Sequence, residues 1–511
     1  MDALSQLIHH MQLGFGVCLT PMNLLYCFIG CFVGTLVGVL PGIGPLAALS
    51  MLLPITFKIP SVSSIIMLTG IFYGAMYGGS TTSILVNIPG EAASVVTCLD
   101  GYQMARQGRA GPALGIAAIG SFIAGTLSTV GLNLFSPVLV ALALKIGPPE
   151  YFSVMTVSLV VCMYMVGGSM VKALVMIALG VFVSTIGMDV VNGLQRFTFG
   201  SINLAQGFDL VPVLMGMFGV SEILITMEEV FVREFISGSK IKNLFPTLRD
   251  WMDSIIPIIR GSILGFGIGI IPGGTPTSAS FLSYGIEKRL SRHPERFGHG
   301  AIEGVAGPES ANNSAVAASM VPLLSLGIPG NPVTALLIGA LIIHGVQPGP
   351  MLMTQHPDIF WGVIASMYIG NVMLLILNLP LVGLWVQFLR LPYKILFPII
   401  FLLCVIGSYA ANLNMFDVWV MIGFGILGFL LRKRHYELGP FTLALVLGPI
   451  LEQSLRQSLI MADMNPMVFV TRPISAGLLT LTLCLLAFFI WSEWKKRKKG
   501  DPLQSGSGDM I

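Results

Sequence analysis

The stretch Gly34-Thr-Leu-Val-Gly38-Val-Leu-Pro41-Gly42-Ile-Gly44-Pro45 returns later in the chain as Gly265-Phe-Gly-Ile-Gly269-Ile-Ile-Pro272-Gly273-Gly274-Thr275-Pro276. Both copies read G-x-x-x-G-x-x-P-G-x-x-P, and both end an apolar run. Proline lacks the amide a helix needs and glycine accepts unusual φ, so each copy is expected to break a helix inside an apolar segment. Interrupted backbone survives in hydrocarbon only beside a cavity, a ligand or packed protein. Paired interruptions in two halves of a chain are a sequence mark of a transport site.

The surroundings of the two copies are those of a membrane. Of 511 residues, 54% are hydrophobic and only 10% are charged, against roughly 25% charged in soluble domains. Apolar runs around 17–40, 112–146, 152–187, 360–389, 395–431 and 473–492 are long enough to span a bilayer. They are continuous rather than alternating, which excludes a β-barrel. The expected fold is an all-α polytopic membrane protein of roughly 10–12 transmembrane helices, with re-entrant hairpins and broken helices among them. The first basic residue is Lys58, so no cleavable signal peptide is expected. The cysteines Cys18, Cys27, Cys31, Cys98, Cys162, Cys404 and Cys484 show no C-x-x-C spacing and read as small core residues.

Basic residues gather at Arg106/Arg109, Arg233–Arg249, Lys288–Arg296, Arg432–Arg434 and Lys495–Lys499. The positive-inside rule puts these stretches, and the C-terminus, in the cytoplasm. Segment 258–287 lies between two basic loops and segment 24–57 between base-poor flanks. The two hairpins are therefore expected to enter from opposite faces. Tyr77-Gly-Gly-Ser80-Thr81-Thr82-Ser83-Ile-Leu-Val-Asn87-Ile-Pro89-Gly90 and Leu326-Gly-Ile-Pro329-Gly330 repeat Ile-Pro-Gly at matching places with opposite charge flanks, as inverted repeats do. The expected division is 1–226 and 258–470 as inverted repeats joined by a cytoplasmic linker at 227–257. A final helix at 471–494 and a basic, disordered tail at 495–511 follow.

Each motif has a plainer reading. Leu40–Pro45 resembles the turn of a DNA-binding helix hairpin, but no Lys or Arg for phosphates is nearby. In Gly265-Phe-Gly-Ile-Gly269 the third glycine is misplaced for a dinucleotide loop. Gly34/Gly38 and Gly265/Gly269 fit close helix packing. The P-G turns exceed that need and are expected to line the site. Gly42 and Gly273 are accordingly expected to resist substitution more than Gly34 or Gly265. Ser80–Ser83 fits an N-cap presenting hydroxyls and amides to an anion, with back-bonding to helix carbonyls as the plain alternative. Asn87, Asn312 and Asn313 fit cation or carboxylate ligation, and interhelical hydrogen bonding is their alternative. Glu91, Glu303 and Glu309 border these motifs, either as intramembrane functional acids or at the interface. His344 and His356 read as loop residues. No nucleophile–base set and no ATP-binding loop appears.

Taken together, Pro41-Gly-Ile-Gly-Pro45, Tyr77–Gly90, Leu99-Asp-Gly-Tyr102-Gln-Met-Ala-Arg106, Pro308-Glu-Ser-Ala-Asn312-Asn313 and Leu326–Gly330 resemble the large membrane subunit of tripartite tricarboxylate transporters. The likeness runs from about residue 20 to 490. It implies a bacterial inner-membrane secondary transporter with two partners, a small membrane subunit and a periplasmic solute-binding protein. It also implies uptake of citrate or a related carboxylate driven by an ion gradient. Pro41, Gly42, Gly44, Ser80, Thr81, Thr82, Ser83, Asn87, Pro89, Gly90, Pro272, Gly273, Gly274, Thr275, Asn312, Asn313, Pro329 and Gly330 are the expected substrate- and ion-binding residues. Asn87 and Asn313 are the expected ligands of Na⁺. These motifs are poor in Arg and Lys, so a carboxylate would rest on helix N-termini and hydroxyls. Neutral oxygens favour Na⁺ over H⁺ as the coupling ion. An ion channel or non-selective pore is the competing class, and an intramembrane enzyme a more distant one.

Overall fold

A computed structural model describes residues 3–40, 44–165, 169–189, 192–228, 244–388 and 393–498. Pro41 and Gly42 lie outside the described residues, as does 499–511. The first block comprises Ala3–Cys18 (α1), Pro21–Val39 (α2), Gly44–Leu52 (α3), Ser61–Val86 (α4), Val95–Arg106 (α5) and Ala110–Ala143 (α6). Between the blocks lie Pro148–Met165 (α7), Met170–Ser184 (α8), Ile202–Ala205 (α9), Leu210–Leu214 (α10) and Ser221–Glu228 (α11). The second block comprises Leu248–Ile270 (α12), Pro276–Leu290 (α13), Glu303–Leu326 (α14), Pro332–Ile343 (α15), Leu352–Gln355 (α16) and Pro357–Asn378 (α17). Among the described residues the only strands are Gly187–Met188 and Gln195–Arg196, a short antiparallel pair. Eight helices are long and apolar enough to cross a membrane, and four shorter apolar helices accompany them, among the described residues.

Glycines set the geometry. Gly30, Gly34 and Gly38 of α2 press on the backbone of Met67, Ile71 and Ala75 of α4, in that order. The two helices are therefore parallel and nearly touching. Because they run side by side in one direction, the chain must come back between them, through α3 and the turn Leu53–Lys58. The second block repeats this arrangement. Gly261, Gly265 and Gly269 of α12 press on Gly307, Ala311 and Ala315 of α14, and α13 provides the return.

The match extends residue by residue. Gly30, Gly34 and Gly38 correspond to Gly261, Gly265 and Gly269 at an offset of 231. Asn87, Gly90, Glu91 and Ser94 correspond to Gly327, Gly330, Asn331 and Thr334 at an offset of 240. Asn87 and Gly327 both end their helices in the left-handed conformation, φ 59° and 70°. Glu91 and Asn331 both open the following helical segment with a reciprocal capping box. A Cβ on Gly90 would overlap the carbonyl of Gly38, and one on Gly330 would lie 3.5 Å from that of Gly269.

The two blocks are inverted. Tyr73 and Tyr77 of α4 bond Ser366 and Asn371 in order, so α17 is parallel to α4. Gly120 and Ser128 of α6 meet Ser310 and Ser314 in order, so α6 is parallel to α14. Asn371 bonds Phe122 while Tyr368 bonds Asn133, so α6 and α17 run opposite ways. Hence α2, α4 and α17 point one way and α6, α12 and α14 the other. The last helix of each block packs across on the other, α6 on α14 and α17 on α4.

Two boundaries differ from expectation. α12 begins at Leu248, inside the expected 227–257 linker. There Thr247 accepts the Asp250 amide at 3.2 Å and Asp250 accepts the Thr247 amide at 3.0 Å, a box that starts the helix early. The final helix, Pro473–Lys498, runs on into the basic stretch expected to be disordered, Lys and Arg being good helix formers. α17, within the apolar run 360–389, lies in the core against α4 and α6.

Space alone does not separate Gly273 from Gly34 and Gly265, although its φ of 92° adds a strain that the two helical glycines lack. A Cβ on Gly34 would lie 2.6 Å from the Ile71 carbonyl, and one on Gly265 would overlap that of Ala311. Neither has more room than Gly273, whose Cβ would meet the Cys162 amide at 2.6 Å. Gly38→Ala and Gly265→Ala should each lower stability by at least ~1–3 kcal/mol. Gly267→Ala, with nothing within 4 Å, should be neutral or slightly stabilising. Thermal unfolding of the purified variants in detergent checks both outcomes.

Candidate functional site

The expected site residues fall into separate places. One group collects around two buried acids. Glu309, on α14 and 1% exposed, accepts the Ser80 hydroxyl of α4 at 2.5 Å and the Thr97 hydroxyl of α5. Glu91, 7% exposed, accepts the Ala93 amide at 2.6 Å and lies 3.5 Å from the Asn312 side-chain nitrogen. Asn313 donates to Ser121 at 2.7 Å and to the Glu309 carbonyl at 3.1 Å. Glu309, Asn312 and Asn313 share a face of α14 because they are spaced three and four residues apart. Gly79 makes room for Glu91, since a Cβ there would lie 2.8 Å from the Glu91 Cγ.

Ser80, Thr81, Thr82 and Ser83 are buried in the last turns of α4, not at a helix N-terminus. The helix continues past them to Val86, so their amides are used internally and only hydroxyls are offered. Ser80 also bonds back to Met76 at 3.2 Å, and Thr82 reaches the Val39 carbonyl at 2.7 Å, just before the first P-G turn. Thr81 lines a cavity with Tyr77, Ser80, Ser121 and Asn378. Its volume is about 10 Å³, the room one water needs and far below that of a tricarboxylate.

A second group surrounds the second turn. Gly273, at φ 92°, donates to the Gly330 carbonyl at 2.8 Å, joining the turn to the Pro329-Gly330 break. Pro272 and Gly274 flank it, and Thr275 caps α13 by accepting the Ser278 amide at 3.1 Å. Gly330 packs on Ser319, ten residues along α14 from Glu309 and so about 15 Å away. The second turn and the two buried acids therefore do not converge on one point. Pro89 and Gly90 belong to the first group, while Gly44 heads the return helix α3 at φ 59°.

Asn87 is exposed and serves as the left-handed C-cap of α4, a conformation that favours Asn and Gly. Its counterpart Gly327 does the same without a side chain, so a backbone role accounts for Asn87.

Sequence reading missed Thr97, which comes within reach of Glu309 only in the folded chain. It also missed Asp100, whose carboxylate accepts the amides of Gly298, Gly300 and Ala301 at 2.8–2.9 Å and the Tyr284 hydroxyl at 2.9 Å. Asp100 fastens α5 to the second hairpin. Its place in the quoted Leu99-Asp-Gly-Tyr motif was the available signal.

Two inverted hairpins, two interrupted helices and a buried polar cluster between them make this an all-α polytopic membrane protein. The chain belongs to the tripartite tricarboxylate transporter TctA family, whose sequence profile matches residues 24–443. It is 51% identical over 494 residues, 96% of this chain and 98% of the relative, to an uncharacterized 52.8 kDa protein in the TAR-I ttuC' 3' region of Agrobacterium vitis. A second protein of that organism, uncharacterized and in the TAR-II ttuC' 3' region, is 53% identical over 231 residues, 45% of this chain and 96% of the relative. No solved structure matches.

Asn87→Gly should leave stability within a few tenths of a kcal/mol, whereas Asn87→Val should cost ~1–2 kcal/mol. Thermal unfolding of the two variants side by side is the check. Equal losses would mean that the amide, not the backbone conformation, matters.

Proposed function

We propose that the chain imports a citrate-like di- or tricarboxylate across the bacterial inner membrane. A periplasmic solute-binding protein delivers the substrate, and a small membrane subunit completes the transporter. Cation symport drives uptake, with Na⁺ favoured over H⁺ and the C-terminus cytoplasmic. The observation that carries this reading is the pair of inverted hairpins enclosing one buried polar cluster. Inverted repeats that meet around a central site permit alternating access.

The remaining helices supply a body for that movement to work against. Gly180 of α8 seats on Phe441 and Ala444 of Gly439–Met461, and Gly216 on Met421 of Met415–Lys433. We assign α2–α6 and α12–α17 to the moving unit and these outer helices to the scaffold, an elevator-like division. A channel or non-selective pore fits less well. A pore calls for a continuous polar lining, whereas the polar groups here gather at one level, with the second turn about 15 Å of helix away.

In proteoliposomes holding both membrane subunits, labelled citrate uptake should be saturable. It should require the binding protein and stop when the imposed Na⁺ gradient collapses. Linear, binding-protein-independent flux would instead establish a pore.

A further inference from the structure

We propose that Glu309, Glu91, Ser80, Thr97 and Asn312 form the binding site of the coupling cation, a site built from both inverted repeats; this rests on the symport reading above. Two carboxylates share one buried cluster. Among the described residues neither takes part in an ion pair. Buried charge without a partner is costly, and a buried acid within a membrane protein marks an ion or proton path. A bound cation supplies the missing partner.

The ligand atoms are all oxygens, the set a hard ion such as Na⁺ takes. Glu309 offers both carboxylate oxygens. Ser80 and Thr97 keep hydroxyl lone pairs beyond the hydrogens they donate. The side-chain oxygen of Asn312 is buried and without a hydrogen-bond partner, while its nitrogen rests on Glu91. That unused acceptor belongs to a residue 1% exposed whose amide nitrogen lies beside Glu91.

Symmetry separates the charge from the architecture. Asn331 fills the place of Glu91 and caps its helix with a neutral amide, accepting the Val333 and Thr334 amides at 3.0 Å. Capping therefore does not require the charge at position 91. Thr69 fills the place of Glu309 at the same offset of 240, so the helix contact does not require an acid there. Neither acid has an acidic counterpart in the other repeat. Ser80, Glu91 and Thr97 come from the first repeat, Glu309 and Asn312 from the second. A cation between them ties the repeats together, which is how its binding would act on the transport cycle.

The test is Na⁺ binding to the purified membrane complex, read as the rise in melting temperature when NaCl replaces choline chloride at constant ionic strength. Wild type should be stabilised in proportion to ln(1 + [Na⁺]/Kd). Glu309→Gln should abolish the shift, and Thr97→Val and Asn312→Ala should each weaken Na⁺ affinity by ~10-fold or more. Glu295→Gln, on an exposed loop, should behave as wild type. If Glu309→Gln does not fold, the two milder variants decide. An unchanged Na⁺ shift in folded Glu309→Gln, or in both milder variants, overturns the site. A wild type stabilised by pH change alone overturns Na⁺ as its occupant. Citrate counterflow by the wild-type complex, with equal Na⁺ on both sides, tests the transport reading separately, since it needs carboxylate exchange whatever residues hold the cation.

Discussion

The contact on which the rest depends is backbone against backbone at six glycines, three on α2 and three on α12. Each series removes every side chain from one helix stripe, so the partner helix lies against bare backbone. In lipid, where apolar side chains gain nothing by leaving their solvent, such close packing is a main source of helix association. Two helices packed this closely in parallel cannot be joined by a short loop. The chain must return, and the returning segment makes the hairpin. The second P-G turn is thus a consequence of the glycine stripe as much as an independent feature.

The same constraint, applied twice in opposite senses, produces the central cluster. Once α4 and α14 are fixed antiparallel, Ser80 is level with Glu309. The interrupted helix after α4 then brings Thr97 and Glu91 to the same place. The swap of α6 and α17 closes the arrangement, since each long helix packs on the opposite repeat and neither block can be removed without exposing polar atoms of the other. Asn371 illustrates this by bonding Tyr77 at 2.6 Å, Phe122 at 2.8 Å and Thr126 at 2.9 Å.

Much of this was legible in sequence. Ile-Pro-Gly at 88–90 and 328–330, the two P-G turns and the opposite charge flanks carried the inverted repeat. The hydroxyl and amide motifs marked the right helices, and Glu309, Asn312 and Asn313 are at one-face spacing. What was not legible depended on distance in space. Thr97 has no local signal for its bond to Glu309. The hydroxyls of Ser80–Ser83 looked like a cap because a helix end could not be distinguished from a helix interior three residues before Asn87. Asn87 looked like a ligand because only its positive φ, set by the turn into Pro89, reveals the cap.

The account stands or falls on opposite entry of the two hairpins. Lys58, at the open end of the first, and Arg292, at the open end of the second, are both exposed. Each can be replaced singly by cysteine in a chain freed of its seven native cysteines and labelled with a membrane-impermeant maleimide. The account predicts that Lys58→Cys reacts from the periplasmic side and Arg292→Cys only after the membrane is opened. Reaction of both from the same side would contradict it.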